Sequence, residues 1–268
     1  MRTIILPAST KVAIKKSSTM LKDFFIEVGS ITKFAGHFFK EVFRPQYEFK
    51  ELMKQSYLIG NKTLLLAGLS GFIMGIVLTI QSRPGLVLMG ATSMLPSLDA
   101  QGIIKEMGPA ITALICAGKI GSSIGAELSS MKVSEQIDAM EVSGTKPFKY
   151  LVVTRIAAAT IMIPILVIVS DFISLLGAFF ACNLKDSVSL HLFFSEVFRS
   201  ISFVDLFSAT IKTVFFGFAI GLIGCYMGYT SSKGTEGVGK AANSAVVVSS
   251  LLIFIIDAIA VQITSFFV

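Results

Sequence analysis

Seven charged side chains stand in or beside long apolar stretches of this 268-residue sequence, where an isolated charge is costly in lipid. Charges in such places face protein, water or one another, and they often mark the path of an ion or a substrate. The sequence offers no nucleophile–base pair, no paired carboxylates and no metal-ligand spacing. It therefore predicts no catalytic residue, no metal site and no cofactor. The charges that remain as candidates for function are Glu106, Lys119, Glu127, Arg155, Asp171, Lys212 and Asp257.

A glycine-rich stretch at 234–241 nearly matches the phosphate-binding loop of nucleotide-binding proteins. That loop requires a Ser or Thr hydroxyl for magnesium where Ala241 stands, and a strand before the loop. Here an apolar stretch of membrane-spanning length precedes it. The sequence therefore predicts that this chain binds no nucleotide.

Composition and hydropathy predict the membrane-crossing segments that carry these charges. The sequence is 53% hydrophobic, its mean hydropathy is +0.78 and only 15% of its residues are charged, against about 25% in soluble domains. This excludes an ordinary soluble domain and a disordered chain. Five segments are long and apolar enough to cross a bilayer, at 63–82, 107–126, 151–182, 206–229 and 245–268.

The distribution of basic residues predicts the orientation of these crossings. With the N-terminus in the cytoplasm, the inner segments carry 16 Lys and Arg and the outer loops carry four, as the positive-inside rule requires. Five crossings then place the C-terminus outside. The whole net charge of +6 lies in residues 1–62, which favours contact with an anionic membrane face over nucleic acid.

The N-terminal segment repeats apolar residues along one helical face, with lysines off that face. We expect an amphipathic helix lying in the membrane interface; a helix packed on protein is the alternative. The predicted fold is an all-α polytopic membrane protein with one interfacial helix and five transmembrane helices. The predicted division is a basic cytoplasmic segment, 1–62, and a membrane domain, 63–268. The apolar face consists of Phe24, Val28, Ile31, Ala35, Phe38 and Val42.

Small residues recur at a spacing of four on three of the crossings. A spacing of four places them on one helix face, where two backbones can approach closely. The sequence does not say whether the partner helix belongs to the same subunit or to another. The ladders are Gly71/Gly75, Ala117/Gly121/Gly125, Gly217/Gly221 and Gly224/Gly228.

A short amphipathic helix is predicted in the cytoplasmic loop between the second and third crossings. Ser134 suits its N-cap, Glu135 its first turn and Gly144 its C-terminal end. It is too short to span a membrane. It is either a surface connector or a docking helix for a cytosolic partner.

Three sequence runs around this loop closely resemble the MlaE/YrbE family, the membrane permease subunits of ABC-type lipid transporters that work with MCE proteins. The runs are KEMGPAITALICAGKIGS at 105–122, AEL at 126–128 and MKVSEQIDAME at 131–141. The stretch 237–247 also looks like the loop before that family's last helix. The resemblance covers about 50–268, and Lys119 departs from the Arg expected there, which loses bidentate geometry.

The resemblance implies a non-catalytic permease domain at 63–268, working as a homodimer with cytosolic ABC ATPase subunits. It implies movement of phospholipid or a related lipid between the inner membrane of a Gram-negative-type bacterium and an MCE-domain protein. Carried over to this sequence, the ATPase-coupling positions are Ser134, Glu135, Gln136, Asp138 and Glu141.

The family's lipid cavity lies at the dimer centre, bordered by the first and last crossings. On the first crossing, the residues that we expect to line this cavity are Met74, Val77, Leu78 and Gln81. The alternative is that Met74 and Leu78 merely pack in the core of the dimer.

Two other functions remain open. An ion- or proton-coupled secondary transporter would use the intramembrane charges as a relay, although no internal repeat with broken helices is evident. A passive membrane scaffold for an MCE protein is the third possibility.

Overall fold

All five apolar stretches are helical in the computed structural model, which describes residues 8–45, 48–184, 188–232 and 234–266. The described part of the chain contains no β-strand. Five helical segments are long and apolar enough to cross a membrane, and they confirm the predicted all-α fold with five crossings. Their bounds are Phe49–Leu88, Thr92–Val133, Phe148–Asn183, Phe203–Tyr229 and Thr235–Thr264.

The chain divides into two units, residues 1–45 and 46–268. The first unit is a single helix, α1 (Ala8–Val42), as the apolar periodicity predicts. Lys40 lies in its last turn, where a positive charge is favourable. Just beyond the helix, Arg44 forms a 2.6 Å ion pair with Glu41. The predicted membrane-interface role of α1 stays a prediction, and the side chain of Phe24 lies outside the described residues.

The second unit begins with α2 (Phe49–Leu88), so the helix of the first crossing starts well before the predicted boundary at 62. The second crossing is a chain of helical pieces with two wider π-helical turns, Gly102–Met107 and Ala117–Gly121. The other pieces are a 3₁₀ turn at Thr92–Met94, α3 (Leu95–Gln101), α4 (Gly108–Cys116) and α5 (Ser122–Val133).

A short helix, α6 (Gln136–Val142), follows the second crossing. The third crossing is a π-helical turn, Phe148–Val153, continued by α7. By connectivity, α6 lies at one end of the crossings, while α3 and α8 lie at the other end and pack together; we call these the α6 end and the α8 end. The remaining helices are α7 (Thr154–Asn183), α8 (Leu190–Ser200), α9 (Phe203–Tyr229) and α10 (Thr235–Thr264).

Glycines bring α2 and α7 into backbone contact. A Cβ on Gly71 would lie 2.6 Å from the Ser170 hydroxyl, and one on Gly75 would overlap the Ser174 carbonyl oxygen. From the other side, a Cβ on Gly177 would overlap the Phe72 carbonyl oxygen. The Gly71/Gly75 ladder therefore packs two helices of one subunit.

The later ladders pack α9 in the same way. A Cβ on Gly217 would lie 2.7 Å from the Ala159 carbonyl oxygen of α7. A Cβ on Gly228 would lie 2.8 Å from the Gly125 carbonyl oxygen of α5. Close approach on two sides places α9 at the centre of the second unit, between α7 and α5.

Buried hydroxyls add hydrogen bonds across the helices. Thr112 on α4 donates to the Ser170 hydroxyl at 3.0 Å, and Ser170 donates to the Ala67 carbonyl of α2 at 3.1 Å. In a membrane interior such bonds stabilise helix association because the alternative is an unsatisfied polar group.

The sequence prediction was wrong at Ser134 and Glu135. Helix α5 continues to Val133, and the Ser134 hydroxyl donates back to the Ser130 carbonyl at 2.8 Å rather than capping a new helix. Glu135 adopts a left-handed backbone with φ of 57°, and α6 starts after it. The two residues form a sharp turn, because back-bonding by Ser134 extends the preceding helix. At the other end, Gly144 has the positive φ of 79° expected after a helix C-terminus.

Candidate functional site

A buried lysine organises the charges near the α8 end. The Lys212 side chain, 5% exposed, forms ion pairs with Glu106 at 3.2 Å and with Asp257 at 3.0 Å. Its ammonium group also donates to the Lys105 carbonyl at 2.6 Å. Three crossings therefore contribute to one charge cluster, which unites three of the seven charges named from the sequence.

The π-helical turn at Gly102–Met107 helps to place this cluster. A π-helical turn disrupts the regular i to i−4 hydrogen bonds, and such turns are frequent at functional sites. Here the Lys105 carbonyl accepts from Lys212, which is 107 residues away in sequence.

A second ion pair, which the sequence-based list missed, lies beside the first. Lys105 contacts Asp205 at 2.9 Å. Asp205 is held by a capping box with Ser202 at the start of α9, with bonds of 3.1 and 3.2 Å. The signals were present in the sequence as Ser and Asp three residues apart before an apolar run, and as the adjacent Lys105-Glu106.

A cavity of about 680 Å³ opens beside these charges, between the start of α9 and the end of α10. We call it the Lys212 cavity. Its walls combine Lys105, Glu106, Asp205 and Lys212 with apolar side chains, so it is suited to a molecule with a polar head and an apolar body. The apolar side chains in its lining are Val204, Phe207, Ala209, Ile211, Ala260, Val261 and Ile263.

Arg155 and Glu127 form a separate cluster near the α6 end. Arg155 is almost fully buried; it contacts the Glu127 carboxylate at 3.2 Å and donates to the Leu151 carbonyl at 3.0 Å. Nearby, Tyr150 donates to Glu51 at 3.1 Å. These bonds tie the ends of α2, α5 and the third crossing together beside the segment that leads to α6.

Lys119 and Asp171, the last two charges, form no ion pair within the described part of the chain. Lys119 is exposed and lines a second cavity, of about 410 Å³, together with Glu127. The Asp171 Oδ1 atom lies where a Cβ on Gly108 would be, and it has no hydrogen-bond partner among the described residues. Only a glycine at 108 leaves room for this carboxyl group.

The predicted coupling residues form an exposed surface around α6. Ser134, Glu135, Gln136, Asp138 and Glu141 are all exposed. The helix is anchored by Ile137, which is buried.

The turn before α6 is fixed to α9. Lys132 donates to the Tyr229 carbonyl at 2.9 Å, and Ser129 bonds to Ser231 at 2.8 Å. These bonds connect the surface around α6 to the end of α9, the helix that carries Lys212, and to the residues just after it.

The predicted lipid-cavity residues do not share one surface within a single chain. Met74 and Leu78 are half-buried and pack against the chain's own core near the α8 end, whereas Val77 and Gln81 are exposed. None of the four lines either of the two cavities described above. Their role at a dimer centre stays a prediction.

The glycine-rich stretch at 234–241 is the start of α10. Gly234 precedes the helix with a positive φ of 104°, and Gly237 packs against the backbone of Ser232. In the described part of the chain, no strand comes before it and no cluster of side chains could hold a metal ion.

Comparison with known proteins gives concordant matches. Residues 52–263 match the family model described as Permease MlaE. A probable ABC transporter permease protein of Rickettsia typhi is 36% identical over 228 residues, covering 85% of this chain and 88% of its own length. A probable ABC transporter permease protein of Synechocystis is 31% identical over 220 residues, covering 82% and 84%. One from Porphyra purpurea is 37% identical over 196 residues, covering 73% and 74%.

Proposed function

Because this chain belongs to the MlaE permease family of ABC transporters, we propose that it moves phospholipid or a related lipid across or out of the membrane. We propose further that it transfers this lipid between the inner membrane of a Gram-negative-type bacterium and an MCE-domain protein. The class implies an ATPase partner, and we assign ATP hydrolysis to that separate chain. The ion-coupled and scaffold alternatives are not retained, because the relatives are ABC permeases.

The observation that carries the lipid assignment is the mixed lining of the Lys212 cavity. A phospholipid combines an anionic phosphate with long apolar chains, and this cavity offers buried and half-buried lysines beside an apolar wall. Glu106 is 49% exposed while its partner Lys212 is 5% exposed. An entering phosphate can therefore displace the Glu106 carboxylate from Lys212 and take over its ion pair.

We propose a homodimer joined along α2 and α10. These two crossings are the least buried of the five: 33% and 17% of the residues in their most apolar stretches are buried, against 50–56% in the other three. Their exposed faces are apolar, which suits lipid or a second copy. A dimer through these helices would bring two Lys212 cavities, and the predicted Val77 and Gln81 positions, towards a common centre.

We assign ATPase coupling to the exposed surface formed by Ser134, Glu135, Gln136, Asp138 and Glu141. The acidic groups suit a basic or polar cleft on the ATPase. Lys132 and Ser129 bond to the end of α9 and the residues just after it. A movement of this surface would therefore be transmitted to the helix that carries Lys212.

Charge reversal of the coupling surface tests this assignment. Glu135→Lys with Asp138→Lys is expected to reduce co-purification of the ATPase strongly, because two attractive charges become repulsive, while the permease stays folded and inserted. The matched control is Glu236→Lys, an exposed acid in the first turn of α10. Retention of the ATPase and of normal transport by the double variant would refute the coupling assignment.

Cysteine labelling tests the proposed orientation. The native Cys116, Cys182 and Cys225 are all buried, so an introduced cysteine gives the signal. Asp138→Cys on α6 is expected to react with a membrane-impermeant maleimide only from the cytoplasm. Ser195→Cys on α8 is expected to react only from outside. Labelling in the opposite pattern would reverse the topology.

A further inference from the structure

A third cavity, of about 600 Å³, lies between α7 and α9 with α8 across its end. We call it the α7–α9 groove. Its size is within the range of ligand sites, about 300–1,000 Å³. Nearly all of its lining is apolar, and its polar side chains are Asp171, Thr210 and Thr213.

The groove is separated from the Lys212 cavity by the first turns of α9. Thr210 and Thr213 line the groove, whereas Ser208 and Lys212 line the cavity. Ala209 borders both. One helix thus forms the partition between two sites, so the groove is not part of the transport cavity described above.

The mouth of the groove is apolar. Its exposed members include Ile168, Phe172 and Phe198, which are 53%, 56% and 75% exposed. Both walls are membrane-crossing helices. In a bilayer, what meets this mouth is the acyl chain of a lipid rather than water.

Helix α8 borders the groove at the α8 end and carries both apolar and polar side chains. Leu190, Phe194 and Phe198 recur every fourth residue and line the groove. His191 and Arg199 are both exposed on the same helix; Arg199 lies about 100° around the helix from Phe198, whereas His191 lies beside it. Arg199 therefore places one cation suited to a phosphate at this edge of the groove, with Glu196 on the same helix.

Asp171 lies in the part of the groove furthest from α8, one turn before the groove ends at Val167 and Ile168. It lies 12 residues before the end of α7, roughly 18 Å along the helix at 1.5 Å per residue. Its Oδ1 is seated against Gly108 without a hydrogen-bond partner in the described part of the chain. An acyl chain that enters beside α8 would therefore follow an apolar path past the Asp171 carboxyl group to Val167 and Ile168.

We propose that the α7–α9 groove is a second lipid site, which holds one acyl chain of a phospholipid from the leaflet beside α8. The phosphate of that lipid lies at the Arg199 edge. The site exists in a single copy of the chain and does not require the dimer. Its further role, as a waiting position from which lipid reaches the Lys212 cavity around α9, rests on the proposed transport function.

Photo-crosslinking tests the site directly. Benzoylphenylalanine is introduced at Phe172, which lines the groove, or at Phe180, which is 52% exposed on the same helix and lies outside the groove lining. The full chain is reconstituted in vesicles of phosphatidylethanolamine and phosphatidylglycerol with radiolabelled acyl chains. We expect several-fold more labelled lipid adduct from position 172 than from position 180.

Filling the groove provides the matched comparison. Thr210→Trp should remove most of the adduct from position 172, whereas Val214→Trp, one turn away on α9 and 39% exposed before substitution, should leave it unchanged. Leu176→Trp fills the groove from α7 and gives the same expectation if Thr210→Trp does not fold.

Three outcomes would overturn the proposal. Equal adducts from positions 172 and 180 would mean ordinary surrounding lipid, and equal loss with Val214→Trp would mean that the groove itself is not occupied. A protein–protein adduct at twice the chain mass would mean that a second copy covers the groove. Adduct formation without ATP-driven lipid movement would leave this site standing and refute the transport function instead.

Discussion

Replacing Lys212 by methionine is expected to reduce ATP-driven phospholipid movement at least tenfold while leaving the ATPase bound. The substitution keeps most of the length of the side chain but removes the cation shared by Glu106 and Asp257. The expected cost in stability is below the ~3–5 kcal/mol of a fully buried pair, because Glu106 is 49% exposed and Asp257 is 19% exposed. The proposed phosphate contact is lost as well. The measurement is transfer of labelled phospholipid from proteoliposomes, with ATPase co-purification measured on the same preparation.

Two further variants serve as comparisons for Lys212→Met. Lys240→Met removes an exposed lysine of α10 outside the Lys212 cavity and should transport normally. Asp257→Asn keeps the shape of the cluster and should show an intermediate defect, because Lys212 retains Glu106. Normal transport by a folded Lys212→Met protein would exclude this cluster from the lipid path.

Adding a single methyl group at Gly75 is expected to destabilise the second unit. The new Cβ would overlap the Ser174 carbonyl oxygen of α7 and would lie 2.9 Å from the Ala178 nitrogen. Neither backbone atom can move without separating α2 from α7. Overpacking of a tight interface typically costs about 1–3 kcal/mol, and backbone overlap places Gly75→Ala at or above the upper end. We expect its Tm in detergent to fall by about 5 °C or more, from the usual relation of Tm to stability.

The control for this prediction lies on the same helix. A Cβ on Gly85 would meet nothing within 4 Å, so Gly85→Ala should unfold at the same temperature as the native chain or slightly higher, because alanine favours a helix more than glycine does. Equal Tm values for the two variants would show that the close α2–α7 contact does not hold the fold together.

The crossings were predictable from the sequence because their signal is local. Twenty apolar residues in succession can hardly form anything but a membrane helix, and all five segments are confirmed. The ends were less well predicted. Hydropathy falls at polar residues such as Lys62, yet the backbone of α2 begins at Phe49 and stays helical through Pro84. Hydrogen bonding along a helix continues where hydrophobicity does not.

The partners of the charges were not predictable, because pairing depends on which helices are neighbours. Glu106, Lys212 and Asp257 are far apart in the sequence and meet only through the packing of α9 against the second and fifth crossings. From the sequence, Lys119 and Asp171 would be as costly to place in lipid as these three charges, yet neither belongs to that cluster.

Helix α8 was hidden inside a stretch interpreted as an outer loop. Its signal was present: Ser189 caps the helix by accepting from the Leu192 amide, and Phe193 and Val197 recur at helical spacing on its buried face. Eleven residues are too few for a search based on membrane spans. The turn at Ser134 and Glu135 was misplaced for a different reason, since a serine that suits an N-cap can equally bond backwards to the preceding turn.

ATP-dependent lipid movement by the reconstituted complex tests the proposed function most directly. The permease and its ATPase are placed in liposomes that contain fluorescent phospholipid, and transfer to or from the MCE-domain protein is followed with ATP and with a non-hydrolysable analogue. Transfer is expected with ATP but not with the analogue, unaffected by a proton uncoupler and reduced at least tenfold in Lys212→Met. ATP hydrolysis by an intact complex without any lipid transfer would contradict the proposed function.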